Sequence, residues 1–124
     1  MTYQIVVATD LTDESLAWLK NAPDVDVKIT PPNVVILRDA MKTANALIVR
    51  DDIQIDADVL EDAPNLKVVG RPTAGLSGID IEAATARGVI VMNTPGVSAI
   101  AAAEHTIALM LNLSRRLKIG RAHV

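Results

Sequence analysis

Five short aliphatic runs alternate with helix-patterned segments along this chain, and that alternation constrains the fold more than any other feature. The runs are Tyr3–Ala8, Val25–Ile29, Ala46–Val49, residues 66–69 and residues 89–92. Strands joined through helices lie parallel, because a parallel pair needs a crossover connection. A parallel sheet covered on both faces requires predominantly apolar strands, and four of the five runs meet that requirement. Val25–Ile29 instead alternates apolar with polar residues, as an outer strand does. The pattern predicts a three-layer α/β domain built on a five-stranded parallel sheet.

The segments between the runs carry helix signals. Thr12 can cap a first helix with Asp13 and Glu14 in its first turn, where carboxylates suit the dipole. Leu16 and Leu19 give that helix an apolar edge beside Trp18, and Pro23 ends it. Pro31 and Pro32 precede a second helix whose expected buried side is Val34, Val35, Leu37 and Met41. A brief helix over residues 57–63 stops at Pro64, another over residues 80–86 ends at Gly88, and a long one starts near Ser98 and runs past Leu117. Residues 118–124 offer little to bury and are expected to fray. Right-handed crossovers leave few topologies for this order, and the flavodoxin-like strand order 2-1-3-4-5 is the expected one.

Composition excludes several function classes. At 124 residues, half of them hydrophobic, the chain can bury a core, and with no Phe, one Trp and one Tyr that core must be aliphatic. A net charge of −3 with both signs scattered provides no basic face for a nucleic acid. There is no cysteine, so neither a disulfide frame nor a thiolate metal site is available. His105 and His123 lack metal-ligand spacing, and His105, inside the long helix, reads as a packed or capped residue with no Ser or Asp placed for a triad. No basic segment precedes the first apolar run as in a signal peptide. The apolar stretch of residues 97–113 is interrupted by Glu104, His105 and Asn112 and is too short for a bilayer. The expectation is a cytoplasmic protein that binds neither nucleic acid nor membrane.

Ligands of open parallel sheets bind beyond the carboxyl ends of the strands. Those ends here are Thr9-Asp10, Arg50-Asp51-Asp52, the loop of residues 70–75, and Asn93-Thr94-Pro95-Gly96. The loop from Gly70 to Gly78 is the sharpest local signal. A turn leading into a helix offers free N–H groups to an anion, and Arg50 and Arg71 can add forked contacts to a carboxylate or phosphate. The same glycines, Gly75 and Gly78, also serve a reading in which they merely shape a tight strand-to-helix turn.

Three other readings fail on residues they need and do not find. Residues 70–77 have P-loop spacing, but Leu76 stands where the lysine is needed. The dinucleotide fingerprint G-x-G-x-x-G occurs nowhere in the chain, so no cofactor or metal site is expected within it. A magnesium-binding phospho-receiver domain has this fold and would use Asp10 with Asp51 or Asp52. It also needs a lysine after the fifth strand, where Asn93-Thr94-Pro95 stands.

The segments ALIVR, APNLKVVGR, GIDIEAATARGVIVMNTPG and AAAEHTIALMLNLSRR together resemble the D-isomer-specific 2-hydroxyacid dehydrogenases, most of all their phosphoglycerate branch. The resemblance implies an NAD-dependent oxidoreductase of serine biosynthesis. It makes residues 1–97 a substrate-binding domain and residues 98–124 the connector toward a separate Rossmann domain. The NAD site and the catalytic arginine, glutamate and histidine of the family come from that further part. The chain alone is therefore expected to be inactive.

The resemblance also implies roles. Arg50 would contact the acidic substrate, a small 2-hydroxy or 2-oxo acid, and Arg71 begins the glycine-rich loop. The N–H groups of Ala74 and Gly75 would hold the substrate carboxylate, and Asn93 and Thr94 would border the cleft. Thr73 stands in place of a glycine of the family's loop, Pro72 removes a donor, and Asp51 replaces a usual serine. The competing expectation is a non-enzymatic flavodoxin-like interaction module or folding scaffold. Ile100, Ile107, Met110, Leu111 and Leu113 lie on more than one face of the long helix, which predicts a homodimer formed through it.

Overall fold

The structure, a computed structural model, describes residues 2–95 and 99–115. The expectations for Gly96, Val97, Ser98, Leu117, His123 and the tail of residues 118–124 lie outside the described residues. The elements are β1 (Tyr3–Ala8), α1 (Asp13–Lys20), β2 (Val25–Ile29), α2 (Val34–Met41), β3 (Ala46–Val49), α3 (Ala57–Glu61), β4 (Val68–Arg71), α4 (Ile81–Ala86), β5 (Ile90–Asn93) and α5 (Ala99–Arg115). The strands form one sheet in the order β2-β1-β3-β4-β5, every neighbouring pair parallel. The chain divides into two compact units, Met1–Thr94 and Pro95–Val124. The first holds the sheet and α1 to α4, and the second holds α5. Among the described residues no helix is long and apolar enough to cross a membrane.

Local chemistry starts each helix of the first unit. The side chains of Thr12, Asn33, Asp56 and Asp80 accept from backbone N–H groups of α1, α2, α3 and α4, satisfying donors that have no intrahelical partner. Gly88, at φ 70°, reverses the chain after α4, and Val89 N donates to Ala84 O at 2.9 Å. α3 is shorter than expected. Asp62 and Ala63 continue it only as tight turns onto Val59 and Leu60, and Pro64 bars Ala63 from helical geometry.

Register sorts the strand residues onto two faces. Val6, Leu47, Val69 and Val91 share one face, and Val7, Ile48, Gly70 and Met92 share the other. The first face carries the core. Val6, Ala8, Leu47, Val49 and Val69 cluster there with Leu37, Ala40 and Met41 of α2, Val59 and Leu60 of α3, and Ala84 of α4. The buried side of α2 is thus Leu37, Ala40 and Met41. Val34 and Val35 were expected on it, but they occupy the exposed first turn, and Val35 remains 78% exposed. Helical spacing from Leu37 selects positions three and four residues on, which Val35 does not match.

β4 and β5 begin later than their apolar runs. Leu66 N still donates to Ala63 O in a turn, and Lys67 N makes the first bond toward β3, to Asn45 O at 2.8 Å. β4 therefore extends through Arg71 rather than stopping at Val69. Two residues of register decide the orientation of the arginine: Arg71 lies on the same face as Val69 and points into the core side.

Candidate functional site

The carboxyl ends of β1, β3, β4 and β5 meet at one edge, as the parallel order dictates. Leu11, Ile48, Gly70, Arg71, Pro72, Met92, Asn93 and Thr94 line a depression of about 280 Å³ there. Its floor comes from register, since Ile48, Gly70 and Met92 are successive partners across β3, β4 and β5. A Cβ at position 70 would come within 3.9 Å of Ile48 Cγ1, so glycine leaves the floor flat at that point.

The loop after β4 forms the rim. Asn93 Nδ2 donates to Ala74 O at 2.7 Å, and Thr94 N donates to Thr73 O at 3.0 Å. These bonds tie the β4–α4 loop to the end of β5. Thr73 Oγ1 reaches Gly75 O at 3.4 Å within the loop. Among the described residues no group accepts from the N–H of Ala74, Gly75 or Leu76. Three consecutive backbone donors are thus left for a ligand or water. A Cβ at Gly75 would meet nothing within 4 Å, so crowding does not require glycine there. Gly78, at φ 82°, is where the turn needs one.

Arg71 was expected to grip an anion, and the structure gives its guanidinium a different occupation. The side chain is 1% exposed. Its Nη1 donates to Ser77 O, and its Nη2 donates to Arg50 O at 3.1 Å and to Ile53 O at 3.2 Å. Nε has no partner among the described residues. The cation therefore pins the β3–α3 loop to the β4–α4 loop from inside. A short parallel bridge does the same nearby: Ile55 N donates to Gly78 O at 2.7 Å and Asp80 N to Ile55 O at 2.9 Å. Burial lowers the Arg71 pKa from its ordinary value, and the charges of Asp51 and Asp52 oppose that shift.

Arg50 stands at the tip of β3, where its Nε pairs with Asp52 Oδ1 at 3.1 Å. Of the residues expected from sequence, Arg71, Asn93 and Thr94 line the depression itself. Thr73, Ala74 and Gly75 form the adjoining loop, and Arg50 flanks it through its carbonyl bond to Arg71. Sequence reasoning missed the apolar wall of Leu11, Ile48, Pro72 and Met92. Its signal was present in the strand alternation, which puts Ile48 and Met92 on one face at the carboxyl end.

The described residues do not fit a nicotinamide dinucleotide. The turn from β1 into α1 reads Thr9-Asp10-Leu11-Thr12, with no glycine to let a pyrophosphate approach the backbone. Among the described residues no three His, Asp or Glu side chains gather as metal ligands.

Residues 5–119 match the family model described as D-isomer specific 2-hydroxyacid dehydrogenase, catalytic domain. The chain is 39% identical over 115 residues to the D-3-phosphoglycerate dehydrogenase of Archaeoglobus fulgidus, covering 92% of this chain and 22% of that protein. It is 38% identical over 116 residues to the glyoxylate reductase of Aeropyrum pernix, covering 92% of this chain and 35% of that one. Among solved structures, NAD+-bound 3-phosphoglycerate dehydrogenase of Entamoeba histolytica superposes with a TM-score of 0.74 at 27% identity, over 99% of this chain and 43% of that one. A Thermus thermophilus protein superposes at 0.80 with 32% identity, over 92% and 37%. The chain thus spans about a fifth to two fifths of the length of these relatives.

Proposed function

This chain belongs to the D-isomer specific 2-hydroxyacid dehydrogenase family, and from that premise we propose that it supplies the substrate-holding wall of such an enzyme. The observation that carries the reading is the row of N–H groups at Ala74, Gly75 and Leu76 that have no partner among the described residues, beside an apolar depression at the carboxyl edge of the sheet. A 2-hydroxy or 2-oxo acid has a carboxylate for those donors and a short carbon tail for Ile48, Pro72 and Met92. Arg71 acts on this site by position. It holds the loops that carry the donors, and its guanidinium adds positive potential from beneath.

Oxidation of a hydroxy acid by this family is a hydride transfer to NAD. These residues do not cradle that cofactor, so the purified 124-residue chain is expected to give no NAD turnover. Its own contribution is to bind and orient the acid.

The test is an amide-resolved titration of the chain with glyoxylate. Shifts concentrated at residues 71–76 and at Asn93 and Thr94 support the reading. No shift at millimolar glyoxylate would overturn it and favour an interaction module or folding scaffold. NADH formation from a 2-hydroxy acid by the chain alone would refute the division of labour.

A further inference from the structure

The charges at the carboxyl edge of the sheet point to the class of acid that this site takes. Five ionised side chains stand there: Asp10 after β1, Arg50, Asp51 and Asp52 after β3, and Arg71 at the end of β4. Arg71 has no terminal nitrogen left for a second anionic group. Arg50, whose terminal nitrogens have no partner among the described residues, already shares its charge with Asp52. Arg50 is paired with Asp52 at 3.1 Å, and both terminal nitrogens of Arg71 are bonded to backbone carbonyls. Asp51 and Asp10 are exposed and have no ion-pair partner among the described residues.

Among the described residues no lysine stands at the carboxyl ends of β1, β3, β4 or β5. Lys67 precedes β4 at the opposite end of the sheet, Arg87 follows α4, and Lys28 lies within the outer strand β2. The depression itself is walled by Leu11, Ile48, Pro72 and Met92. The edge thus has donors for one carboxylate, an apolar surface for a short tail, and three carboxylates against two guanidiniums.

We propose that this site selects small monoanionic 2-hydroxy or 2-oxo acids over phosphorylated ones, and that Asp51 and Asp52 enforce the choice. The inference rests on the reading of the site given above and narrows its substrate class. A phosphate would bring about two further negative charges to an edge that already repels them. Each additional unit charge several Å from an unpaired carboxylate in water weakens binding by about threefold, so a phosphate loses roughly tenfold. Salt screening reduces that penalty. Asp52 adds to it by offsetting the charge of Arg50, with which it pairs through Nε.

The experiment compares glyoxylate with 3-phosphoglycerate, each titrated against the 124-residue chain and its Asp51→Asn and Asp52→Asn variants at low and high salt. Taking the ratio of the two affinities in each protein cancels the difference in ligand size when variants are compared. Glyoxylate is expected to bind about tenfold more tightly than 3-phosphoglycerate to the unaltered chain at low salt. Each variant should narrow that gap about three- to tenfold, and salt should narrow it for the unaltered chain. Equal or tighter binding of 3-phosphoglycerate by the unaltered chain, or a ratio unmoved by both variants, would overturn the selectivity while leaving the carboxylate site intact. Failure of both acids to bind would overturn the site and the selectivity with it.

Discussion

Replacing Arg71 with methionine tests whether a buried cation holds the two loops of the site in place. Methionine keeps much of the length and apolar stem but donates nothing. The substitution leaves three carbonyls without the guanidinium, those of Ser77, Arg50 and Ile53. The Ile53 bond is buried, and losing it costs about 1–3 kcal/mol because water does not replace the donor there. The Arg50 and Ser77 carbonyls are nearer solvent, and each loses about 1 kcal/mol. Relief from burying a cation offsets part of that sum. The expected net loss is about 2–4 kcal/mol. For a unit of this size that lowers Tm by roughly 10–25 °C.

Urea and thermal denaturation followed by circular dichroism measure the change. Arg71→Lys should recover only part of the loss, because one ammonium cannot span three carbonyls on two loops. Amide spectra should broaden at residues 50–53 and 71–78 in the methionine variant while the α2 signals stay sharp. A methionine variant within about 0.5 kcal/mol of the parent would refute the clamp. Arg71 would then be only a space-filling residue.

Three further outcomes are expected. Leu37→Ala removes the α2 anchor of the core, at 0% exposure, and should cost about 2–5 kcal/mol by denaturant titration; a loss below 1 kcal/mol would contradict the assigned core face. Gly78→Ala places a side chain at φ 82° with its Cβ 3.0 Å from Gln54 Nε2, and should cost about 1–2 kcal/mol; adding Gln54→Ala should remove the contact but not the backbone strain, and full rescue would refute the strain argument. The apolar residues of α5 from Ile100 to Leu113 span roughly 200° of arc, wider than one packing stripe. The chain should therefore self-associate as a dimer, and a monomer mass at high concentration by light scattering would count against it.

The carboxylate-holding role and the charge selectivity depend on different atoms, which makes them separable. The first uses backbone N–H groups of the β4–α4 loop, and the second uses two aspartates after β3. A variant can lose one and keep the other.

Much of the fold was legible in the residue pattern because it rests on local chemistry. The five aliphatic runs, the cap at Thr12 and the stop at Gly88 act over a few residues and need no distant partner. Crossover handedness, a property of L-amino acids, narrowed the order of the parallel strands to a few topologies that include the observed one. Val35 and Arg71 show where that reasoning ran out. An apolar residue in a helix is not buried unless a neighbour covers it, and the sheet covers Leu37, Ala40 and Met41. An arginine beside a glycine-rich loop reads as a ligand contact until the ladder fixes its parity. Only the pairing of Arg71 with Asn93 across β4 and β5 placed it on the core face. Side-chain direction alternates with every residue of a strand, so a shift of one position in register reverses it, and register is settled by the partner strand.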